Sequence, residues 1–114
     1  MNQKAVNQQE KGVDLDALAN GTKLEVQTTN TLYTLEKIDA LFIITGGPRL
    51  TEPQTIRING STFGGSMLKT NWLGIGMYME FVLFKPEVKT LTTSSIRSIK
   101  ITAHDGSWMY VLQN

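Results

Sequence analysis

The chain contains 114 residues, with eleven lysines and arginines, ten acidic residues, a formal net charge of +1 and no cysteine. This length predicts one domain with a single hydrophobic core, and the near-zero charge excludes a strong global field toward nucleic acid or acidic membranes. The lack of cysteine excludes disulfides, thiol catalysis and cysteine-based zinc sites. It also fits a reducing compartment, and we expect a cytoplasmic location.

The sequence has no segment typical of membrane insertion. No stretch approaches the ~20 consecutive apolar residues of a membrane helix. The first twelve residues are polar and lack the apolar run of a signal peptide. We therefore expect no membrane partner.

The N-terminal part divides into two predicted segments. Residues 1–12 are rich in glutamine and asparagine and predict a mobile arm. The stretch "VDLDALAN" then predicts a short helix, because Leu15 and Leu18 are three residues apart and Asn20-Gly21 is a suitable C-cap. This helix would lead into a single β domain over residues 13–114.

From Lys23 onward the hydrophobic period is that of strands, beginning with Leu24 and Val26, which alternate with Glu25 and Gln27. Short alternating runs are separated by turn residues, and "NG" at Asn59-Gly60 and "DG" at Asp105-Gly106 predict hairpin turns. The longest predicted strand is "MYMEFVLF", which ends at Phe84. Seven to nine short strands without intervening helices predict an all-β fold, either a small antiparallel barrel or a sandwich.

The glycine-rich stretch "NGSTFGGSMLK" resembles a phosphate-binding loop only in the spacing of Gly60 and Gly65. Ser66 and Met67 occupy the positions where lysine and serine or threonine are needed, and no helix pattern follows. The S-x-x-K match from Ser66 to Lys69 needs a helix to bring its two functional groups together. We interpret the stretch as a corner of a β protein, with Gly60 in a type I′ turn.

Candidate catalytic groups are few. His104, Asp105 and Ser107 resemble a triad, but one short turn cannot point the three side chains at each other. A single histidine also excludes a multi-histidine metal site, and we expect neither a metal nor a cofactor. Glu80 is the remaining candidate, because a buried glutamate within a strand would need a partner such as Arg57, Arg97 or a tyrosine.

These observations favour a binding or assembly module without catalytic activity over an enzyme. The strand ending at Phe84 carries apolar residues on both faces, so we expect one face to meet a partner, with self-association as one possibility. The candidate interface residues are Tyr78, Val82, Phe84 and Trp72. The alternative is weak binding of nucleic acid or an anionic ligand on a basic β face formed by Arg57, Lys69, Arg97 and Lys100. The second alternative is a small enzyme with its site around Glu80.

Overall fold

A computed structural model describes residues 3–47 and 50–114, and these residues form an all-β antiparallel structure with eleven strands. The strand number exceeds the seven to nine predicted, because several strands are only two to four residues long. The strands are β1 Val6–Asn7, β2 Gly12–Asp14, β3 Lys23–Thr28, β4 Leu32–Ile38, β5 Leu41–Gly46, β6 Leu50–Gly64, β7 Met67–Thr70, β8 Trp72–Gly74, β9 Tyr78–Leu83, β10 Lys89–Thr102 and β11 Met109–Gln113.

Two sheets contain these strands. The larger sheet has eight strands in the order β11-β10-β3-β4-β5-β6-β7, and β9 lies off this path, where it pairs with both β6 and β10. The smaller sheet has the order β1-β2-β8. The larger sheet keeps edge strands at β7 and β11, so the described chain is not the fully closed barrel that was one of the two predicted forms. Strand β9 nevertheless bridges β6 and β10, so that strand pairing runs around β3, β4, β5, β6, β9 and β10.

The two long strands make the large sheet curl over. The first half of β6 pairs with β5, and its second half pairs with β9 and β7. The first half of β10 pairs with β9, and its second half pairs with β3 and β11. Register shifts interrupt most of these ladders, and such bulges bend a strand and increase its twist.

One hydrophobic core fills the curled sheet, as expected for a single domain. The alternating residues predicted for the β3 strand are confirmed, since Leu24 and Val26 are fully buried. Other fully buried core side chains are Leu35, Ile44, Ile56, Leu73, Met79, Phe81, Ile96, Ile99, Ile101 and Leu112. Burial of these aliphatic side chains supplies the main driving force for the fold.

The predicted N-terminal helix is wrong. Only a single 3-10 turn forms, at Leu15–Ala17, and the backbone is already extended at Leu18. The Asp14 side chain caps this turn by accepting a hydrogen bond from the backbone N–H of Asp16. Both leucines are buried without a helix, and the ammonium of Lys37 donates to the Leu15 carbonyl at 2.6 Å. A single turn held by tertiary contacts avoids the cost of nucleating a short α-helix.

Residues 3–12 of the predicted arm form local structure. A 3-10 turn at Gln3–Ala5 is followed by β1, which pairs with β2, and Ala5 belongs to the core. Met1 and Asn2 lie outside the described residues. The mobility of the segment stays a prediction.

The predicted turn at Asn59-Gly60 is also wrong. Both residues lie inside β6, where Gly60 adopts a φ of +146° at a bulge opposite Glu80. The chain reverses direction instead after Gly64, whose φ is +129°. The hairpin predicted at Asp105-Gly106 is confirmed, because it joins β10 to β11.

Candidate functional site

Two of the four predicted interface residues are covered by the protein itself. Trp72 is 8% exposed and Val82 is 5% exposed. The indole ring of Trp72 packs so closely on Gly12 that any β-carbon there would lie 2.1 Å from a ring atom. Trp72 therefore packs within the small sheet, against Gly12 of β2. Tyr78 and Phe84, in contrast, each expose more than a third of their surface. The four residues do not form one apolar patch.

The four predicted basic residues are distributed over β6, β7 and β10. Lys69 pairs with Glu10 at 3.0 Å and also lies 3.8 Å from the centroid of the Trp72 ring. Lys100 pairs with Glu25 at 3.6 Å. These carboxylates neutralise two of the four cations that a phosphate backbone would need.

The two arginines have different surroundings. The Arg97 side chain donates from Nε to the hydroxyl of Thr29 at 3.1 Å. Arg57 is exposed and lies opposite Val82 in the ladder between β6 and β9. Nucleic-acid or anion binding on this face stays a prediction.

Glu80 is half-buried on the outer face of β9. Its carboxylate accepts a hydrogen bond from the Asn59 side-chain amide at 2.8 Å, and Thr92 lies opposite it on β10. This partner, an asparagine, is neither of the arginines nor the tyrosine that the sequence suggested. An enzymatic site around Glu80 stays a prediction that no further contact supports.

The histidine turn has a structural role. His104 is exposed, and its ring packs on Gly21, which lies between the 3-10 turn and β3. Hydrogen bonding by the Ser107 side chain, and then by its backbone N–H at 2.9 Å, holds the pKa of Asp105 below its ordinary value. Within residues 3–47 and 50–114 no group of three or more histidine or acidic side chains could hold a metal ion.

The feature that sequence reasoning missed is the edge strand β11. It pairs only with β10 among the described strands, in a regular register that places Val111 opposite Lys100 and Met109 opposite Thr102. Leu112 points into the core and is 1% exposed, while Met109 and Val111 are 55% and 44% exposed. The alternation was visible in the sequence, but the position of the strand at an edge was not.

The opposite edge of the sheet, β7, differs from β11 in two ways. It carries a charged residue, Lys69, and its ladder with β6 contains a register shift. The sequence of β11, "MYVLQ", contains no charge and no proline, and its ladder has no shift. The two edges therefore differ in how well they are protected against pairing with another strand.

Comparison with protein-family models, curated proteins and solved structures gives no match. Within the described part of the chain, no helix has the length and apolar character required to cross a membrane.

Proposed function

We propose that the protein is a binding and assembly module that associates with a second copy of itself along β11. The observation that carries this proposal is the uncharged, regular edge strand with two exposed apolar side chains on its outer face. An edge strand presents unpaired backbone N–H and C=O groups, which a second strand can satisfy.

The absence of protective features on β11 supports this choice of surface. Sheet edges are usually guarded by a charged residue, a proline or a bulge, because an unguarded edge pairs with other chains. The β7 edge has both a lysine and a register shift. The β11 edge, from Met109 to Gln113, has neither. Its residues suit pairing with another strand more than they suit solvent.

A two-fold antiparallel arrangement fits the sequence of β11. If the axis passes through Val111, this valine lies opposite the same valine of the second copy, and Met109 lies opposite Gln113. Such an interface is isologous, because both copies use the same residues. Apolar cross-strand pairs each add roughly 0.2–1 kcal/mol to the backbone hydrogen bonds.

The charges near this edge are compatible with the arrangement. Lys100 lies next to Val111 on the neighbouring strand. In the dimer, the Lys100 side chains of the two copies would lie on the same face of the joined sheet, one on each side of the axis. The ion pair of Lys100 with Glu25 limits the repulsion between the two lysines. The surface close to the axis is therefore close to neutral.

Sedimentation velocity over a range of protein concentrations tests the proposal. We expect a concentration-dependent dimer for the unmodified protein and a monomer for Val111→Lys, because two lysines would face each other at the axis. Val88→Lys is the matched control, since Val88 is 74% exposed and lies in the loop between β9 and β10. Circular dichroism verifies that both variants fold.

Two results would reject the proposal. The first is a protein that stays monomeric at millimolar concentration. The second is a dimer that Val111→Lys and Val88→Lys weaken equally, because that outcome would show that β11 is not the interface.

A further inference from the structure

A second feature of the molecule is an exposed arginine, Arg97, at a bulge of β10. The register between β10 and β3 shifts between Ile96 and Ser98, so Arg97 is the extra residue of this ladder. Its Nε donates to the hydroxyl of Thr29, in the turn between β3 and β4, at 3.1 Å. Bulges of this kind redirect a side chain and occur frequently beside binding sites. The bulge and the hydrogen bond together fix the direction of the guanidinium.

Two hydroxyls lie beside this guanidinium. The hydroxyl oxygens of Thr29 and Ser95 are 3.4 Å apart. The backbone N–H of Thr29 donates to the Ser95 carbonyl at 3.0 Å, and the backbone N–H of Asn30 donates to the Ser94 hydroxyl at 3.1 Å. These bonds join the β3–β4 turn to β10. Arg97 and the two hydroxyls are therefore held together before any ligand binds, which lowers the cost of binding one.

The guanidinium of Arg97 is not neutralised by a carboxylate. Neither of the two ion pairs within residues 3–47 and 50–114 includes it. The four residues outside these ranges contain no acidic side chain. A guanidinium binds a phosphate through two parallel hydrogen bonds from its nitrogens. The hydroxyls of Thr29 and Ser95 can donate to the same anion.

An exposed aromatic ring lies next to these hydroxyls. Tyr78 is the cross-strand partner of Ser95 in the ladder between β9 and β10, so the two side chains share the outer face. The residues that follow them, Met79 and Ile96, are fully buried in the core on the other face. Tyr78 is 38% exposed and forms no aromatic pair within the described part of the chain. Its ring is therefore accessible to a planar group that stacks on it.

A carboxylate at the other end of this surface sets the direction in which an anion can bind. Glu80 follows Tyr78 by two residues on the same face of β9, about 7 Å along the strand. Its carboxylate accepts a hydrogen bond from the Asn59 amide at 2.8 Å through one oxygen. Glu80 repels a phosphate and Arg97 attracts one, so the phosphate belongs at the Arg97 end. The second oxygen of Glu80 can accept from an N–H or O–H group of a ligand.

We propose that this surface binds a nucleotide, with its phosphate on the Arg97 guanidinium and its base stacked on Tyr78. Stacking on exposed aromatic rings combined with cations along the phosphates is how proteins hold single-stranded nucleotides. The same unit occurs as a free nucleotide and within a single strand of nucleic acid. The site goes beyond association through β11, because it contains no residue of that strand. It uses only one of the four basic residues that the sequence suggested.

Titration of the full chain with AMP at low salt, followed by ¹H–¹⁵N correlation spectra, tests the proposal. We expect saturable shifts at millimolar AMP, centred on the amides of Thr29, Tyr78, Ser95 and Arg97. Adenosine lacks the phosphate and inorganic phosphate lacks the base, so each should bind about tenfold more weakly or worse. AMP shifts that do not saturate, shifts spread over the surface, or equal binding of AMP and either fragment would overturn the proposal.

A short single strand of adenylates distinguishes the two sources of the nucleotide. Tighter binding of the strand than of AMP, weakened steeply by salt, would assign the site to single-stranded nucleic acid. Equal binding of the two would assign it to a free nucleotide. Either result supports the site.

Variants provide a second test. Arg97→Gln removes the charge and should weaken AMP binding about tenfold. Arg57→Gln is the matched control and should leave binding unchanged, since Arg57 is also exposed and outside both ion pairs but lies opposite Val82, four residues along β9 from Tyr78. Tyr78→Ala should weaken binding about tenfold by removing the stacking surface, and Tyr78→Phe should retain it.

Two patterns among these variants would reject the proposal. Equal losses in Arg97→Gln and Arg57→Gln would show that AMP is attracted only by the overall charge. Equal affinities of Tyr78→Ala and Tyr78→Phe would show that the base does not stack on this ring.

Discussion

Substitution of Gly60 by alanine should destabilise the fold much more than the same substitution at Gly64. Both glycines have positive φ values, +146° and +129°, which L-residues rarely adopt. Holding alanine in such a conformation costs about 1–3 kcal/mol at either site. The two sites differ in the space around the missing side chain, so the pair separates backbone strain from steric conflict.

The steric difference can be worked out from the structure. A β-carbon on Gly60 would lie 2.1 Å from the Lys69 carbonyl oxygen and 2.9 Å from the Lys69 carbonyl carbon, both in the backbone of β7. A β-carbon on Gly64 would have no atom within 4 Å. Relieving the clash requires separating β7 from β6, and forced overpacking of this kind costs about 1–3 kcal/mol. We expect the free energy of unfolding of Gly60→Ala to fall below that of Gly64→Ala by this amount.

Urea denaturation followed by tryptophan fluorescence measures the difference. Trp72 is a suitable reporter, because it is buried and its carbonyl accepts a hydrogen bond from the Ser61 hydroxyl, next to Gly60, at 2.6 Å. If Gly60→Ala is unfolded even without urea, the loss in the free energy of unfolding lies at the upper end of what we expect. Equal unfolding free energies for the two variants would refute the reasoning that β7 packs against the backbone at Gly60.

Two further predictions concern polar contacts. Thr93→Val leaves the backbone N–H of Met79 without its acceptor, so we expect the free energy of unfolding, measured by urea denaturation, to fall by about 1–3 kcal/mol. Thr90→Val, at an exposed site of the same strand, is the control and should change stability little. Equal losses in the two variants would contradict this reasoning. The pKa of Asp105 should lie below 3.8 in an NMR titration, and Ser107→Ala should raise it. Because the folded-state pKa is lowered, this contact stabilises the fold above the ordinary pKa, and its contribution disappears as the pH falls through the folded-state pKa. An unchanged titration of Asp105 in Ser107→Ala would contradict the assigned cause.

Features that depend only on residues adjacent in the sequence could be predicted from the sequence. The period-two alternation in Leu24 and Val26 identified the core face of β3, and Asp105-Gly106 marked the last hairpin correctly. These signals are local, because a strand alternates its faces residue by residue and a tight turn needs particular backbone angles.

Predictions failed where distant contacts override a local signal. Asn59-Gly60 has the chemistry of a type I′ turn, yet β9 and β7 extend the strand through it, and the glycine serves the close approach of Lys69 instead. The helix pattern at Leu15 and Leu18 was overridden in the same way, since Leu15 in the 3-10 turn and Leu18 in the extended backbone after it are both buried. Local preferences amount to only a kilocalorie or so per residue, and tertiary packing can exceed them.

The candidate surfaces depend even more on tertiary structure. Alternation showed that Val82 and Tyr78 lie on one face of a strand, but the exposure of that face depends on neighbours from other parts of the chain, and these cover Val82 and leave Tyr78 accessible. The position of β11 at an edge, and the pocket lined by Phe81 and Leu91, arise from strand order and register. By itself, the sequence determined an all-β chain with one core, because that follows from local periodicity and composition. Only the tertiary structure decided which strands remain unpaired and where space is left, because both depend on pairings between residues far apart in the chain.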